Sequence, residues 1–391
     1  MTPAARVAAA IELVDAVIVA ARDGGAAADT VAQRFFAARR YAGSKDRRAI
    51  RDLAWRAIRR FGERPDSGRA AFVALADEDG EIGRLFDGTG YGPPPIDARE
   101  ARAGGGAIPK WLVERFDPLV DADEQAALLG RAPLDLRVNR RIVEPDEVVA
   151  ALPAAEPLAG LPDGLRLPGD SGADLAPLVA RGAVEVQDAA SQHFVRACGA
   201  RPEATILDLC AGAGGKTLAL GAATGGEARL IASDTARARL AELGPRAERA
   251  ALSVEARLLN PGDEAAALAD LAGRCDLVLV DAPCSGSGTW RRNPETRWRL
   301  TPARLDRLVA EQARLLDLAA TLVAPGGRLA YATCSLLGAE GSGQAGEFLT
   351  RHAGWRAVAA TPGRPSGPGR LLTPAHDDCD GFFFALLDRP C

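Results

Sequence analysis

The chain contains no run of the ~18 to 20 uninterrupted apolar residues that a membrane-crossing helix needs, so a helical membrane span is not expected. Its apolar N-terminal stretch, 13–21, is bordered by Glu12 and interrupted by Asp15. No basic leader or small-residue cleavage site accompanies it, so a secretory signal is not expected either, and the sequence reads as a soluble, cytoplasmic protein. The seven cysteines (Cys198, Cys210, Cys275, Cys284, Cys334, Cys379, Cys391) are odd in number and include no CxxC pair. That spacing excludes both a disulfide framework and a zinc site, so no metal is expected. Only three histidines occur, His193, His352 and His376, and none is given a catalytic role. An excess of basic charge is also missing: 48 Lys and Arg face 52 Asp and Glu, a net charge of -4. That average speaks against a nucleic-acid partner. No internal repeat of useful length is found.

What is present is globular. The 391 residues are 47% hydrophobic and 26% charged, with 42 glycines and 26 prolines. At roughly 150 residues per domain this length predicts two or three domains. Residues 1–130 read as a helical domain. Val7, Ile11, Val14 and Ile18 recur at helical steps, and a second helix fits 46–60 with Ile50, Leu53, Ala54, Ala57 and Ile58 on one face. Gly/Pro clusters at 88–95 and 104–109 then break the pattern. Residues 131–186 open on a strand-like LDLRVN and read as a small α+β connector. From 187 to 391 short apolar runs alternate with helical stretches: TILDL (205–209), RLIAS (229–233), VEARLL (254–259), DLVLV (276–280), GRLAYA (327–332) and FFFALL (382–387). This alternation predicts an open α/β sheet with helices on both faces, whose ligands bind beyond the carboxyl ends of the strands.

The first run leads into DLCAGAGGKT, 208–217, where Gly212, Gly214 and Gly215 permit a tight turn into a helix and close approach of a ligand. Two nucleotide-type readings compete. A P-loop requires GxxxxGK[ST], and Gly215, Lys216 and Thr217 satisfy its end, but Cys210 stands at its first glycine. The other reading is an S-adenosylmethionine loop; a plain strand-to-helix turn is the bland one. Asp234, after the second run, suits either a helix N-cap or the hydroxyls of a ribose. After the third run, Asn260 or Asp263 could face an adenine.

The fourth run is followed by DAPCSGSGTWRRNPETRWRL, 281–300, and the fifth by TCS, which puts Cys284 and Cys334 at neighbouring strand tips. A thiolate is a strong, soft nucleophile. Carbon 5 of cytosine is too weak a nucleophile to take a methyl group unaided. Addition of a thiolate at carbon 6, aided by an acid at the ring nitrogen, makes carbon 5 enamine-like; loss of its proton after methyl transfer then frees the thiol. Two cysteines, an acid and a sulfonium donor would account for this chemistry.

At this point the chain resembles the RNA (cytosine-5) methyltransferases of the RsmB/Fmu/Sun type. The resemblance rests on VQDAASQ (186–192), LDLCAGAGGKT (207–217), Asp234, DAPCSGSGTWRRNPETRW (281–298), ATCS (332–335) and HDDCDGFF (376–383). It implies a Rossmann-like class I methyltransferase domain with a mostly parallel seven-stranded sheet. Upstream, PLDLRVNR (133–140) resembles that family's small RNA-binding domain, and DRRAIRDLAWRAIRR (46–60) its NusB-like helical domain. The resemblance implies Cys334 as nucleophile, Cys284 as the cysteine that resolves the adduct, and Asp281 and Lys216 in the base pocket. It assigns S-adenosylmethionine to Cys210, Ala211, Gly212, Ala213, Gly214, Gly215 and Lys216 with Asp234, Asn260 and Asp281. Asn260 departs from the Asp common in the family. The implied partner is RNA, ribosomal and of the small subunit, with transfer RNA still open, and the protein is expected to act as a monomer. A P-loop-like RNA-dependent NTPase and a non-catalytic RNA-binding or assembly factor are the alternatives.

The charge average conceals segregation. Between Arg34 and Arg64 eleven basic residues face three acidic ones, and between Trp290 and Arg307 six arginines face Glu295 and Asp306. The second run follows Cys284, so Arg291, Arg292, Asn293, Arg297 and Trp298 are the expected RNA contacts, with stacking on Trp290 or Trp298 competing against core packing. For either run a solvated helix face is the bland alternative.

Overall fold

The computed structural model describes residues 1–169 and 171–391. The chain divides into two compact units: 1–116 with 289–302, and 117–288 with 303–391. The first unit is helical. Its core is built on α1 (Pro3–Arg22), capped by Thr2, whose side chain accepts from the Ala5 amide. Val7, Leu13, Val14, Val17 and Ile18 of α1 are buried against α2 (Ala28–Ala38), α3 (Ser44–Arg60) and α4 (Gly68–Glu78). Asp15 has a structural duty, accepting from the Gly68 amide at 2.6 Å. Gly68 is required there, since a Cβ would lie 2.3 Å from the Ile11 carbonyl oxygen.

The predicted helix at 46–60 is found, with Ile50, Ala54, Ala57 and Ile58 buried and Leu53 partly so. This compact unit comprises 1–116 and also takes in the segment 289–302. That segment holds a short helical turn, Pro294–Arg299, and places Trp298 in the helical core.

In the second unit, LDLRV (134–138) is the expected strand. It lies in a four-stranded antiparallel sheet with 156–157, 164–167 and 184–186 over a core of Leu136, Val138, Val148, Leu165 and Val184. The larger sheet has nine strands, not the expected seven: β1 (Thr205–Asp208), β2 (Arg229–Asp234), β3 (Val254–Leu258), β4 (Cys275–Asp281), β5 (Val323–Thr333), β6 (Arg356–Val358), β7 (Arg364–Ser366), β8 (Gly369–Leu372) and β9 (Phe382–Asp388). Their order is β7-β8-β9-β5-β4-β1-β2-β3, with β6 also paired to β9. The five strands β1 to β5 pair in parallel, and β6 to β9 add antiparallel ladders at one side.

The central strands read as apolar runs because both faces are covered: Leu207, Val278, Leu279, Val280, Ala330, Tyr331 and Ala332 are fully buried. Strand order reverses between β1 and β4, and ligands of open α/β sheets bind at such a reversal, outside the carboxyl ends. Among the described residues no helix is long and apolar enough to cross a membrane.

Candidate active site

The loop after β1 is pinned to its neighbours before it enters helix α5 (Gly215–Ala223). The Leu209 amide donates to the Leu279 carbonyl and the Ala211 amide to that of Ser233, both at 2.9 Å. Gly212 and Gly214 have φ of +56° and +83°, a conformation that favours glycine. At Gly214 there is also no room, since a Cβ would come within 2.1 Å of Leu243 Cδ1. From the far side Arg246 donates to the Ala213 carbonyl at 2.7 Å, and Gln187 to that of Gly215 at 3.1 Å.

Asp234, at the end of β2, shows that its two readings are not exclusive. One carboxylate oxygen accepts from the Gly212 amide and the other from the Ala236 amide, both at 2.7 Å. It therefore shapes the glycine loop, and each oxygen keeps a lone pair for a further donor. Asn260 is exposed beyond the end of β3, where its carbonyl accepts from the Asp263 amide.

Asp208 is a residue that sequence reasoning missed. It is buried at the end of β1, and its Oδ2 accepts from the Thr217 hydroxyl at 2.7 Å while its buried Oδ1 has no partner. Burial pushes its carboxyl up to about 7, against the pull of the Thr217 hydrogen bond. Its position as the last residue of β1, directly before the glycine loop, was the available signal. Cys210 is pushed well above the normal thiol range, by burial first and then by Asp208, so it keeps its proton.

Lys216, Asp281, Cys284 and Cys334 come together at the tips of β4 and β5. Lys216 Nζ donates to Asp281 Oδ2 at 2.6 Å and lies 5.2 Å from the centre of the Phe382 ring. Burial opposes the Lys216 charge, but the attraction and hydrogen bond of Asp281 outweigh it and raise the ammonium above its usual range, with Cys334 adding to the effect. Cys284 Sγ and Cys334 Sγ are 3.4 Å apart. The contact with Cys334, and then burial, push the Cys284 thiol well above the normal range. Cys284 therefore holds its hydrogen at neutral pH and can donate it to the Cys334 sulfur. The two sulfurs are in contact, and the Cys284 thiol keeps its proton beside that of Cys334.

The backbone holds these loops in register. The Gly288 amide donates to the Cys334 carbonyl at 3.0 Å, and the Gly381 amide to the Gly288 carbonyl at 2.9 Å. Below them the buried Glu340 carboxylate accepts from the Ser285 amide at 2.8 Å and from the Ser335 hydroxyl at 2.6 Å. Glu340, six residues past Cys334, carried no sequence signal.

The expected RNA contacts fare differently. Arg297 is 1% exposed, and its guanidinium donates to the carbonyls of Ile58, Arg59 and Ala107. Trp298 is 4% exposed, with its indole N–H donating to the Phe61 carbonyl at 2.8 Å. Arg291 and Trp290 are buried as well, while Arg292 and Asn293 are half-buried. Arg297 and Trp298 therefore turn into the helical unit instead of outward to RNA, Arg297 onto backbone carbonyls and Trp298 into the hydrophobic core, and Arg291 is buried too. Exposed cations lie instead around the turn between α2 and α3, at Arg40, Lys45, Arg47 and Arg48, beside Tyr41 at 71% exposure. Among the described residues no His, Cys, Asp and Glu group could hold a metal ion.

Residues 197–388 match the family described as 16S rRNA methyltransferase RsmB/F. A probable ribosomal RNA small subunit methyltransferase B of Synechocystis sp. is 36% identical over 303 residues, covering 72% of this chain and 67% of the relative. The ribosomal RNA small subunit methyltransferase B of Xanthomonas campestris pv. campestris is 38% identical over 291 residues, covering 71% of this chain and 66% of that protein. The chain thus matches about two thirds of the length of these relatives. Among solved structures, PH0851 superposes with a TM-score of 0.76 at 21% identity, covering 100% of this chain and 99% of the other. NSun6 from Pyrococcus horikoshii with SFG gives 0.61 at 18% identity, over 68% of this chain and 94% of that one. These two likenesses concern the fold.

Proposed function

Because the chain belongs to the RsmB/F family of 16S ribosomal RNA methyltransferases, we propose that it methylates carbon 5 of a cytosine in small-subunit ribosomal RNA, using S-adenosylmethionine. The observation that carries this reading is the pair of sulfurs 3.4 Å apart beside the Lys216–Asp281 ion pair, at the reversal of strand order.

The residues after β1 and β2 fit the cofactor. Gly212 and Gly214 allow close approach without side chains, Asp234 has lone pairs to spare for hydroxyl donors, and Asp208 Oδ1 lacks a partner. Gly212, Gly214, Asp234 and Asp208 would hold the cofactor, which when bound supplies an electrophilic methyl group. The chain's own residues do the rest. The Cys334 thiolate adds to carbon 6 of cytosine, forming an S–C bond. Lys216 keeps a proton at the Asp281 carboxylate, so the pair donates a hydrogen bond to the ring nitrogen as electron density moves there. Once carbon 5 carries its methyl group, its proton passes to solvent water as the base and the C–H electron pair re-forms the carbon 5–carbon 6 double bond, while the Cys284 thiol donates a hydrogen bond to the departing Cys334 sulfur. The S–C bond breaks, and Cys334 leaves as thiolate.

The cations at Arg40, Lys45, Arg47 and Arg48 would supply phosphate contacts, with the exposed Tyr41 ring available for stacking on an unpaired base. The presence of both cysteines, Asp281 and Lys216 argues against a non-catalytic RNA-binding factor, and Cys210 at the first P-loop position argues against an NTPase. The direct test is nucleoside analysis of small-subunit ribosomal RNA incubated with the protein and S-adenosylmethionine. 5-Methylcytidine should appear with wild type and vanish with Cys334→Ala. Undiminished product in that variant would overturn the assignment of the nucleophile.

A further inference from the structure

We infer that Glu340 is a positioning residue whose single buried carboxylate clasps both cysteine loops and sets the distance between their sulfurs. The inference rests on reading Cys284 and Cys334 as the reactive pair. Glu340 is 0% exposed. Its Oε1 accepts from the backbone amide of Ser285, next to Cys284, at 2.8 Å. Its Oε2 accepts from the hydroxyl of Ser335, next to Cys334, at 2.6 Å. One rigid planar group thereby connects the residue following each cysteine.

The clasp is itself braced. Gln312, on helix α6 (Pro302–Leu322), reaches Glu340 Oε1 at 3.0 Å and the Pro283 carbonyl at 2.8 Å, so the turn before Cys284 hangs from the same amide. The Tyr331 hydroxyl donates to the Glu340 carbonyl at 2.6 Å. The Ser335 hydroxyl also lies 3.1 Å from the hydroxyls of Ser285 and Ser287, and Ser287 Oγ accepts from the Leu336 amide at 2.9 Å. These contacts are all made by neutral donors. They cross between the loops after β4 and β5, which the parallel sheet places side by side but does not join past its last ladder pair, Asp281 with Ala332. Without Glu340, the amide of Ser285 and one arm of Gln312 lose their acceptor. A buried donor without an acceptor is costly, so the loops would move to satisfy it.

A fixed sulfur spacing matters to the proposed chemistry at two moments, when Cys284 donates to the attacking sulfur and when it donates to the departing one. Displacement of reacting groups by about 1 Å can cost on the order of a hundredfold in rate.

The test compares Glu340→Met, which keeps length and removes both acceptors, with Glu340→Gln, which keeps an acceptor for Ser285 and can donate to Ser335. Two readouts are taken on the full chain: steady-state methylation, and the rate at which diamide oxidises Cys284 and Cys334 to a disulfide, mapped by mass spectrometry. For Glu340→Met, kcat is expected to fall by roughly 10- to 100-fold, with KM for RNA and for cofactor held within about twofold. Disulfide formation should slow by about tenfold, and Glu340→Gln should recover most of both losses. Wild-type kcat and oxidation rate in Glu340→Met, or equal losses in Glu340→Met and Glu340→Gln, would overturn the inference. If Glu340→Met does not fold, Ser335→Ala severs only the Cys334 arm; it should slow both readouts, and unchanged values would overturn the inference equally. Cys334→Ala run alongside separates the two claims: activity in that variant defeats the nucleophile assignment, whereas the oxidation rates still report on the clasp.

Discussion

Replacing Asp208 by asparagine should change how stability depends on pH, by an amount that follows from its burial. In the folded protein its carboxyl is held up to about 7, from an ordinary value of 3.8. The unfolded chain therefore ionises Asp208 near pH 4, while the folded chain keeps the proton until about neutrality. Between these limits the folded state binds more protons, so stability falls as pH rises and levels off above about 7. The full difference of ~3 pH units corresponds to about 4 kcal/mol, of which about 2.5 kcal/mol accrues between pH ~5 and pH ~8. Asparagine has no such titration, and its amide oxygen can still accept from Thr217. Urea unfolding at several pH values, with hydrogen exchange in peptides of β1 to report on the sheet, measures the effect. Relative to wild type, Asp208→Asn should gain about 2.5 kcal/mol on going from pH ~5 to pH ~8. Parallel pH profiles for the two proteins would refute the reasoning.

Arg297→Ala strips three backbone carbonyls of their donor and should destabilise the helical unit by about 3 to 5 kcal/mol. A thermal or urea melt checks this, and a wild-type midpoint would contradict the interior assignment. Lys216→Met retains the aliphatic stem and removes the proton held at Asp281. Methyl transfer should fall by about 10²- to 10⁴-fold while the melting temperature stays near wild type, and a single-turnover assay distinguishes this from a binding defect.

Much of this was readable from residues alone, for identifiable reasons. The parallel strands β1, β2, β4 and the second half of β5 are mostly buried, so they appear in the sequence as apolar runs, whereas the outer strand β3, VEARL, is partly exposed; the chemistry gathers at the strand ends as such sheets require. Cys284 and Cys334, fifty positions apart in the chain, could be paired because the runs preceding them were recognisable as neighbours. The edge strands β6 to β8 were not readable: they are three or four residues long and contain Arg356, Arg364, Pro365, Gly369 and Arg370 in place of an apolar run. The RWR segment misled because arginine beside tryptophan looks the same whether it faces phosphates or caps buried carbonyls; only the fold shows that Arg297 and Trp298 turn inward. Glu340 and Asp208 were missed for a related reason. A buried carboxylate is marked by its surroundings, which the linear chain does not display.

The central claim, a division of labour between two touching cysteines, is tested most directly by Cys284→Ala incubated with small-subunit ribosomal RNA and S-adenosylmethionine and run on a denaturing gel. With Cys334 still able to add to carbon 6 and the resolving thiol gone, a covalent protein–RNA band should accumulate, and Cys284→Ala/Cys334→Ala should abolish it. Normal turnover in Cys284→Ala, or a band that persists in the double variant, would contradict the account.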